Sequence, residues 1–455
     1  MRIYQISPQD VLAFRRRYTE SVLGSRARAA RWLSPSIVFD ALHASLHRAF
    51  PQVELWERLH ATGKNGHYPN REENSQRFGS LKTAGPFPIQ QSGAISRWLF
   101  PGPGDAVIGL EGQLGALLPL KNAGERHNLP PQLRFLLGHP FPLDREQPAL
   151  WWSKAAMESW LANRAPDPGE TWFEHELFTV EPGRRFGARH GLTEAANPDV
   201  SWQVRLGENV TLGALASLPL REPREAEGME KLFPAQTGGL VLGGQQRTSR
   251  IRKLPALPLE ALLPMSAPVV DGRLKWMLLS PAVFPAMESR ADGAIHGHPG
   301  GWLPNWVCPA PFLDSHTNRM IEPGQVLLRK GDVGRQPGEP RDQWRRRVRS
   351  FEFIECRLVA ACVPEPMIIG GWSENRHLLI NAPNVTPSPK DSYLAVPPGA
   401  VYYFEGPGAA ELSDALAWHG AEREGIKDIH NRRSTRFGEK GFGLGVCGSW
   451  KFYGD

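Results

Sequence analysis

The sequence has no CxxC pair among its four cysteines, Cys308, Cys356, Cys362 and Cys447. That argues against a zinc knuckle and against a secreted disulfide scaffold, and points to a reducing cytoplasm. No apolar run approaches the roughly eighteen residues that a membrane helix needs, and the start lacks the hydrophobic core of a signal peptide, so no membrane is expected as a partner. Chemistry-bearing motifs are scarce as well. There is no GxSxG elbow, no His-Asp dipeptide of a metal phosphohydrolase and no Gly-Gly-Asp-Asp polymerase palm. No cofactor is implied. His43 and His47 stand four apart on a helical pattern, but position 44 is Ala where a zinc protease has its Glu, and no third ligand is evident.

What is present is the composition of an ordinary globular chain: 455 residues, 41% hydrophobic and 22% charged, enough for two or three cores. Forty-six Gly and 42 Pro without a repeat period belong to many turns between short elements. The net charge of +6 is a weak pointer to nucleic acid, and its distribution says more. "RRRYTESVLGSRARAAR" (15–31), "RDQWRRRVR" (341–349) and "NRRSTRFGEK" (431–440) are basic runs interleaved with or flanked by Tyr18, Trp32, Trp344 and Phe437. Guanidinium groups meet phosphates and aromatic faces accept unstacked bases. The simpler account of 341–349 is a solvated face following a long polar loop.

"RIYQISPQDVLAF" alternates as an opening strand. "SPSIVFDALHASLHRAF" turns helical after a Ser cap, with Val38, Ala41, Leu42, Ser45, Leu46 and Ala49 on one face and Asp40, His43 and His47 on the other. "ALWWSKAAMESWLAN" and "AAELSDALAWHGAE" are further helix candidates; "SWQVRLGENVTLGAL", "GGLVLGGQQRTSRI", "GRLKWMLLSPAVF", "FEFIECRLVAACV" and "GAVYYFEG" are strand-like. The Pro-rich passage 254–268 divides an N-terminal unit, 1–253, from a C-terminal one, 269–455. Strands and helices mix without a regular βαβ alternation, so the expected class is α+β.

"GEKGFGLGVCG" (438–448) contains the spacing GxGxxG at Gly443, Gly445 and Gly448. A dinucleotide fingerprint needs a following helix and an acid about twenty residues on, which the seven residues after Gly448 do not supply. No Gly-Lys-Ser/Thr of a P-loop follows either. Two readings remain: a tight bend before a final strand, or bare backbone that approaches phosphates, with Arg432, Arg433, Arg436 and Lys440 as counter-charge.

Taken in order, several segments carry a family resemblance. "ISPQDVLAFR" followed by "SPSIVFDAL" is similar to the opening of the third Cmr subunit, a RAMP-superfamily protein of type III-B CRISPR effector complexes. "RFGSLKTAGPFPIQ", "LFPGPGDAV", "GGLVLGGQQR", "LLSPAVF" with "GWLPNW", "IIGGW", "VPPGAVYYFE" and "EKGFGLGVCGSW" resemble that family's later segments, over nearly the whole chain. Departures occur at Phe14-Arg15-Arg16-Arg17-Tyr18, where the family has an Asp-Gly turn, at Gln245-Gln246-Arg247, where it has an acid, and in a longer 290–350 loop.

The resemblance implies two tandem ferredoxin-like, RRM-like domains with long loop insertions. It also implies a non-catalytic RNA-binding subunit that holds the 5′ handle of the CRISPR RNA and docks to the large polymerase-like subunit and an adjacent RAMP backbone subunit, in a prokaryotic cytoplasm. On that reading Lys440, Gly441, Gly443 and Gly445 lie at handle phosphates, with Arg432, Arg433 and Arg436 beside them. Arg15, Arg16 and Arg247 complete the basic cleft, and Phe442 or Trp32 stacks on a base. The competing expectation is a RAMP ribonuclease that processes the RNA precursor, with His43 or His47 as general base on a ribose 2′-OH.

Overall fold

The computed structural model describes residues 1–15, 32–49, 81–93, 95–121, 128–144, 150–182, 201–217, 238–242, 247–289, 297–314, 318–331, 339–370, 372–373, 388–389 and 392–455. It is a mixed α/β molecule dominated by antiparallel sheets. The first half supplies strands β1 (Arg2–Pro8), β2 (Leu12–Arg15), β3 (Lys82–Ser92), β4 (Ile95–Pro101), β5 (Leu150–Ser153), β6 (Thr171–Phe173), β7 (Phe178–Pro182), β8 (Ser201–Leu206), β9 (Val210–Ser217), β10 (Gly238–Val241) and β11 (Thr248–Lys253). Eight of them form one sheet in the order β6-β5-β4-β3-β9-β1-β11-β10, while β7-β8-β2 form a smaller one.

Helix α1 (Pro35–Ala49) covers one face of the large sheet. The periodicity read from the sequence is what packs: Val38, Leu42 and Leu46 are fully buried, against Tyr4 and Ile6 of β1, and Asp40 faces water. Each such apolar side chain contributes about 1.5–3 kcal/mol by leaving water. Alternation along β1 sends Ile3 to the other face, with Phe87, Ile89 and Leu215.

The sequence expected a helix through "ALWWSKAAMESWLAN", and the structure shortens it to α2 (Lys154–Leu161). Ser153 is the reason. Its hydroxyl accepts from the Ala156 N–H at 3.2 Å, so the helix starts there and Trp151 and Trp152 remain in strand β5.

The second half contributes β12 (Arg273–Leu278), β13 (Ala282–Val283), β14 (Phe312–Asp314), β15 (Arg319–Ile321), helix α3 (Arg341–Ser350), β16 (Arg357–Cys362), β17 (Met367–Ile369), β18 (Tyr393–Val396), β19 (Val401–Glu405), helix α4 (Ala409–Leu416) and β20 (Gly445–Ser449). Their sheets run β16-β19-β12-β20 and β13-β18-β17, and β14 pairs with β15 and, among the described residues, with no other strand. The basic run 341–349, read from sequence as a solvated face after a polar loop, is helical.

The halves share one core. Phe87, Phe100, Trp152 and Trp160 from the first pack with Met277, Val359, Tyr403, Trp418 and Trp450 from the second. The Pro-rich passage between them is packed too: Leu259, Leu262 and Leu263 join that core, and the Glu260 carboxylate accepts from the backbone N–H groups of Gly425 at 2.5 Å and Ile426 at 3.0 Å.

Candidate nucleic-acid interface

The C-terminal basic segment follows α4 and runs over β3 and the start of α1. Arg432 donates from Nη1 to the Thr83 carbonyl at 2.5 Å and to Gly438 at 3.0 Å. Arg433 donates from Nε to the Ala415 carbonyl at 2.6 Å. Burial pushes both guanidinium groups down to about 10, in Arg432 against the pull of Asp428 and Glu439. Nε and Nη2 of Arg432 are enclosed with no partner among the described residues. Lys440 is only 5% exposed; its Nζ lies 3.2 Å from Asp40 Oδ1 on α1 and 4.9 Å from the centre of the Phe39 ring. These three cations therefore hold the segment onto the rest of the protein. Arg436 is the exposed one, its guanidinium 6.0 Å from the centre of the Tyr393 ring.

The glycine stretch is equally internal, with every residue from Lys440 to Trp450 buried. Gly441 has φ +95°, and a Cβ there would stand 3.0 Å from the Thr83 carbonyl oxygen and 3.4 Å from Pro35 Cβ. Gly443 has φ +75°, and its Cβ would overlap the backbone of Arg433 and Ser434. At Gly445 a Cβ would strike the Trp276 indole. These glycines permit close approach of protein to protein.

Two expectations need correcting. Phe442 is wholly buried among Val283, Met367, Ile369 and Ala395. Trp32, 9% exposed, donates from Nε1 to the Pro86 carbonyl at 2.7 Å and packs edge-on against Trp151. Neither offers a face to a base in this conformation, because each fills a core.

Arg15 lies on β2, opposite Ser201 of β8; Arg16 and the side chain of His47 fall outside the described residues. Arg247 pairs with Asp10 at 2.7 Å, and Asp10 also has Arg205 of β8 at 3.8 Å. The His43 ring stacks on Phe39, 5.6 Å between centroids. Among the described residues no cluster of His, Cys, Asp or Glu is arranged to hold a metal.

The sequence reading missed the row on β11. Thr248, Arg250 and Arg252 alternate with buried Ser249 and Ile251 and are exposed. Arg252 donates from Nε to Gln5 Oε1 at 2.5 Å, and Gln5 donates from Nε2 to Thr211 Oγ1 at 2.8 Å, so a polar ladder crosses β11, β1 and β9. The signal was there in "RTSRIRK", where Thr248, Arg250 and Arg252 fall on every second position once the segment is a strand. Such a ladder fixes Arg252, and exposed Arg250 stands two residues before it on the same strand.

Between the halves lies a second polar constellation. Asp105, 1% exposed, accepts from Trp160 Nε1 at 2.8 Å and from the Tyr403 hydroxyl at 2.9 Å. Lys275 Nζ donates to the Trp160 carbonyl at 2.9 Å, and burial lowers its pKa while Asp105 raises it. This cluster is enclosed and joins residues of both halves, so it fixes their relation.

The fold and the candidate site thus present a shared aromatic core, a guanidinium row in a sheet edge region and a buried glycine seam. The family model for CRISPR-associated protein (Cas_Cmr3) matches residues 4–450, and the chain belongs to that family. It is a RAMP-like subunit of a type III CRISPR effector complex. Among solved structures it is similar to a chain of the type III-B Cmr-beta complex bound to cognate target RNA, at 9% identity over 88% of this chain and 86% of that one, TM-score 0.33. It is similar also to a chain of the Csm3-Csm4 subcomplex of the type III-A CRISPR-Cas interference complex, at 10% identity over 95% and 96%, TM-score 0.35. No curated protein matches it.

Proposed function

We propose that this chain is a non-catalytic subunit that holds the 5′ handle of the guide RNA and docks to the large polymerase-like subunit and to a neighbouring backbone subunit. The observation that carries the RNA reading is the β11 row: exposed Arg250 and Arg252 on a sheet whose Gln5 and Thr211 hold Arg252 in place. Arginines anchored this way meet phosphate oxygens without first ordering a free side chain. Arg205, Arg247 and exposed Arg436 add to the field. Arg432, Lys440 and Gly441 hold the C-terminal segment on β3 and α1, and Arg433 holds it on α4.

We take 254–268 as the division between the two halves. In the second, the sheet order β16-β19-β12-β20 places the strands second, third, first and fourth in chain order, with α4 between the last two. That pattern supports a ferredoxin-like unit there.

The experiment is handle binding by the full chain at several salt concentrations. Arg250→Ala/Arg252→Ala weakens binding and flattens its salt dependence by about 0.7 log units per lost phosphate contact. Equal affinity and slope for parent and variant overturn the assignment. Cleavage of the RNA, with the 2′-deoxy version spared, would instead show a ribonuclease.

A further inference from the structure

Helix α3 reads RDQWRRRVRS, five arginines and one acid in ten residues. Its place is fixed by contacts at both ends. Arg347 grips Glu339, just before the helix, through Nε at 2.9 Å and Nη2 at 3.0 Å. Just after it, residues 352–354 pair with 328–330: the Ile354 N–H donates to the Leu328 carbonyl and the Lys330 N–H to the Glu352 carbonyl, each at 2.8 Å. That pairing brings Arg329 to the C-terminal end of α3. Its guanidinium stacks 4.0 Å from the centre of the Phe353 ring and donates to the Phe351 carbonyl at 2.5 Å.

Glu339 neutralises Arg347, and Lys330 Nζ has Glu352 at 4.0 Å. Arg346 and Arg349 are exposed, and among the described residues neither has a carboxylate within ion-pair distance. Three apart on a helix, they share one side with Cβ atoms about 5–6 Å apart, and the row leads to the end where Arg329 stands. A helix C-terminus offers about half a negative charge, which accounts for one of these cations and not for the row. No apolar side chain accompanies them. The exposed residues of α3 are Asp342, Gln343, Arg346, Arg349 and Ser350 among the described side chains. A protein interface buries an apolar centre, and this helix presents none. A phosphodiester backbone needs only the cations, whose contact releases its counterions.

We propose that Arg346, Arg349 and Arg329 form a second RNA-backbone contact, which takes phosphates outside the 5′ handle whatever their sequence. The inference rests on the chain being an RNA-contacting subunit and uses none of the residues assigned to the handle. Such phosphates occur in the guide beyond the handle and in the target RNA, and two arms separate these sources. The full chain is titrated at several salt concentrations with the handle oligonucleotide and with RNA carrying the handle plus the guide segment. The complex assembled from its cognate subunits is titrated with target RNA. Arg346→Gln/Arg349→Gln, melting with the parent, leaves handle binding unchanged. In the arm that holds the source it lowers the salt slope by roughly 1.4–1.8 log units, for two lost contacts, and each single change gives about half of that. Arg346→Lys/Arg349→Lys keeps most of the slope, since a point charge still meets phosphate. Added to Arg250→Ala/Arg252→Ala, the Gln pair gives the same further drop, so a handle assignment that fails leaves this one intact. Unchanged slopes in both arms overturn the proposal, as does an equal loss on the handle oligonucleotide or release of a protein subunit with RNA binding intact.

Discussion

Adding one methyl group at Gly443 distinguishes a glycine seam that holds the protein together from a cradle kept bare for RNA. Gly443 sits at φ +75°, where an L-residue carries a penalty of about 1–2 kcal/mol. The new Cβ would overlap backbone atoms of Arg433 and Ser434, which no rotamer change can relieve. Moving that backbone strains two hydrogen bonds of 2.7 Å each, Arg433 N–H to the Gly443 carbonyl and Gly443 N–H to the Pro281 carbonyl. At about 0.5–1.5 kcal/mol apiece, these bring the total for Gly443→Ala to roughly 2–5 kcal/mol. The control is Gly438→Ala, where the nearest atom to a Cβ is Arg432 Cβ at 3.5 Å and φ is not positive, so Ala fits. Scanning calorimetry without RNA is the assay. Gly443→Ala is expected to melt roughly 2–5 °C below the parent and Gly438→Ala beside it. If Gly443→Ala melts with the parent and loses only RNA affinity, the seam reasoning is wrong.

Two further outcomes concern the buried polar groups. His419 is fully enclosed, and burial together with Arg423 pushes it down to about 4, so the folded state keeps it neutral where the unfolded state takes up a proton. Its stabilising contribution is present above the unfolded value and is lost as pH falls from about 6.5 to 4, on the order of 3 kcal/mol. His419→Gln should flatten that part of a stability-against-pH curve measured by urea unfolding; an unchanged curve would assign the acid slope to other groups. Tyr403→Phe removes the hydroxyl that donates to Asp105 at 2.9 Å and lies 3.0 Å from the Leu117 carbonyl, and should cost about 1–3 kcal/mol in the same assay. A cost near zero would mean that the cluster between the halves is not coupled.

Much of the helical structure was readable because burial repeats with a local period. In "SPSIVFDALHASLHRAF" the expected face of α1 is buried at Val38, Ala41, Leu42, Ser45 and Leu46, with Asp40 on the polar side; Phe39 is buried too and is not on the expected face, and the side chain of Ala49 lies outside the described residues. Where the reading failed, a local choice outweighed the period. Ser153 cut α2 short, and α3 formed from a polar segment in which Trp344, Arg347 and Val348 are the half-buried positions among the described side chains. The β11 arginines were missed because the strand-like segment "GGLVLGGQQRTSRI" ends at Ile251, one residue before Arg252 completes the alternation.

By itself the sequence determined the family, through the order of its motifs, and the local period of its strands and helices. It also placed the basic segment beside the glycines. Only the tertiary structure decided what those charges and glycines serve, because their neighbours are distant in the chain: Thr83 and Asp40 for Arg432 and Lys440, Pro35 and Trp276 for Gly441 and Gly445. A sequence pattern reports which side of an element is buried. What that side is buried against depends on long-range packing, which here sets Gly441 against Thr83 and Pro35 of the first half and Gly445 against Trp276 of the second.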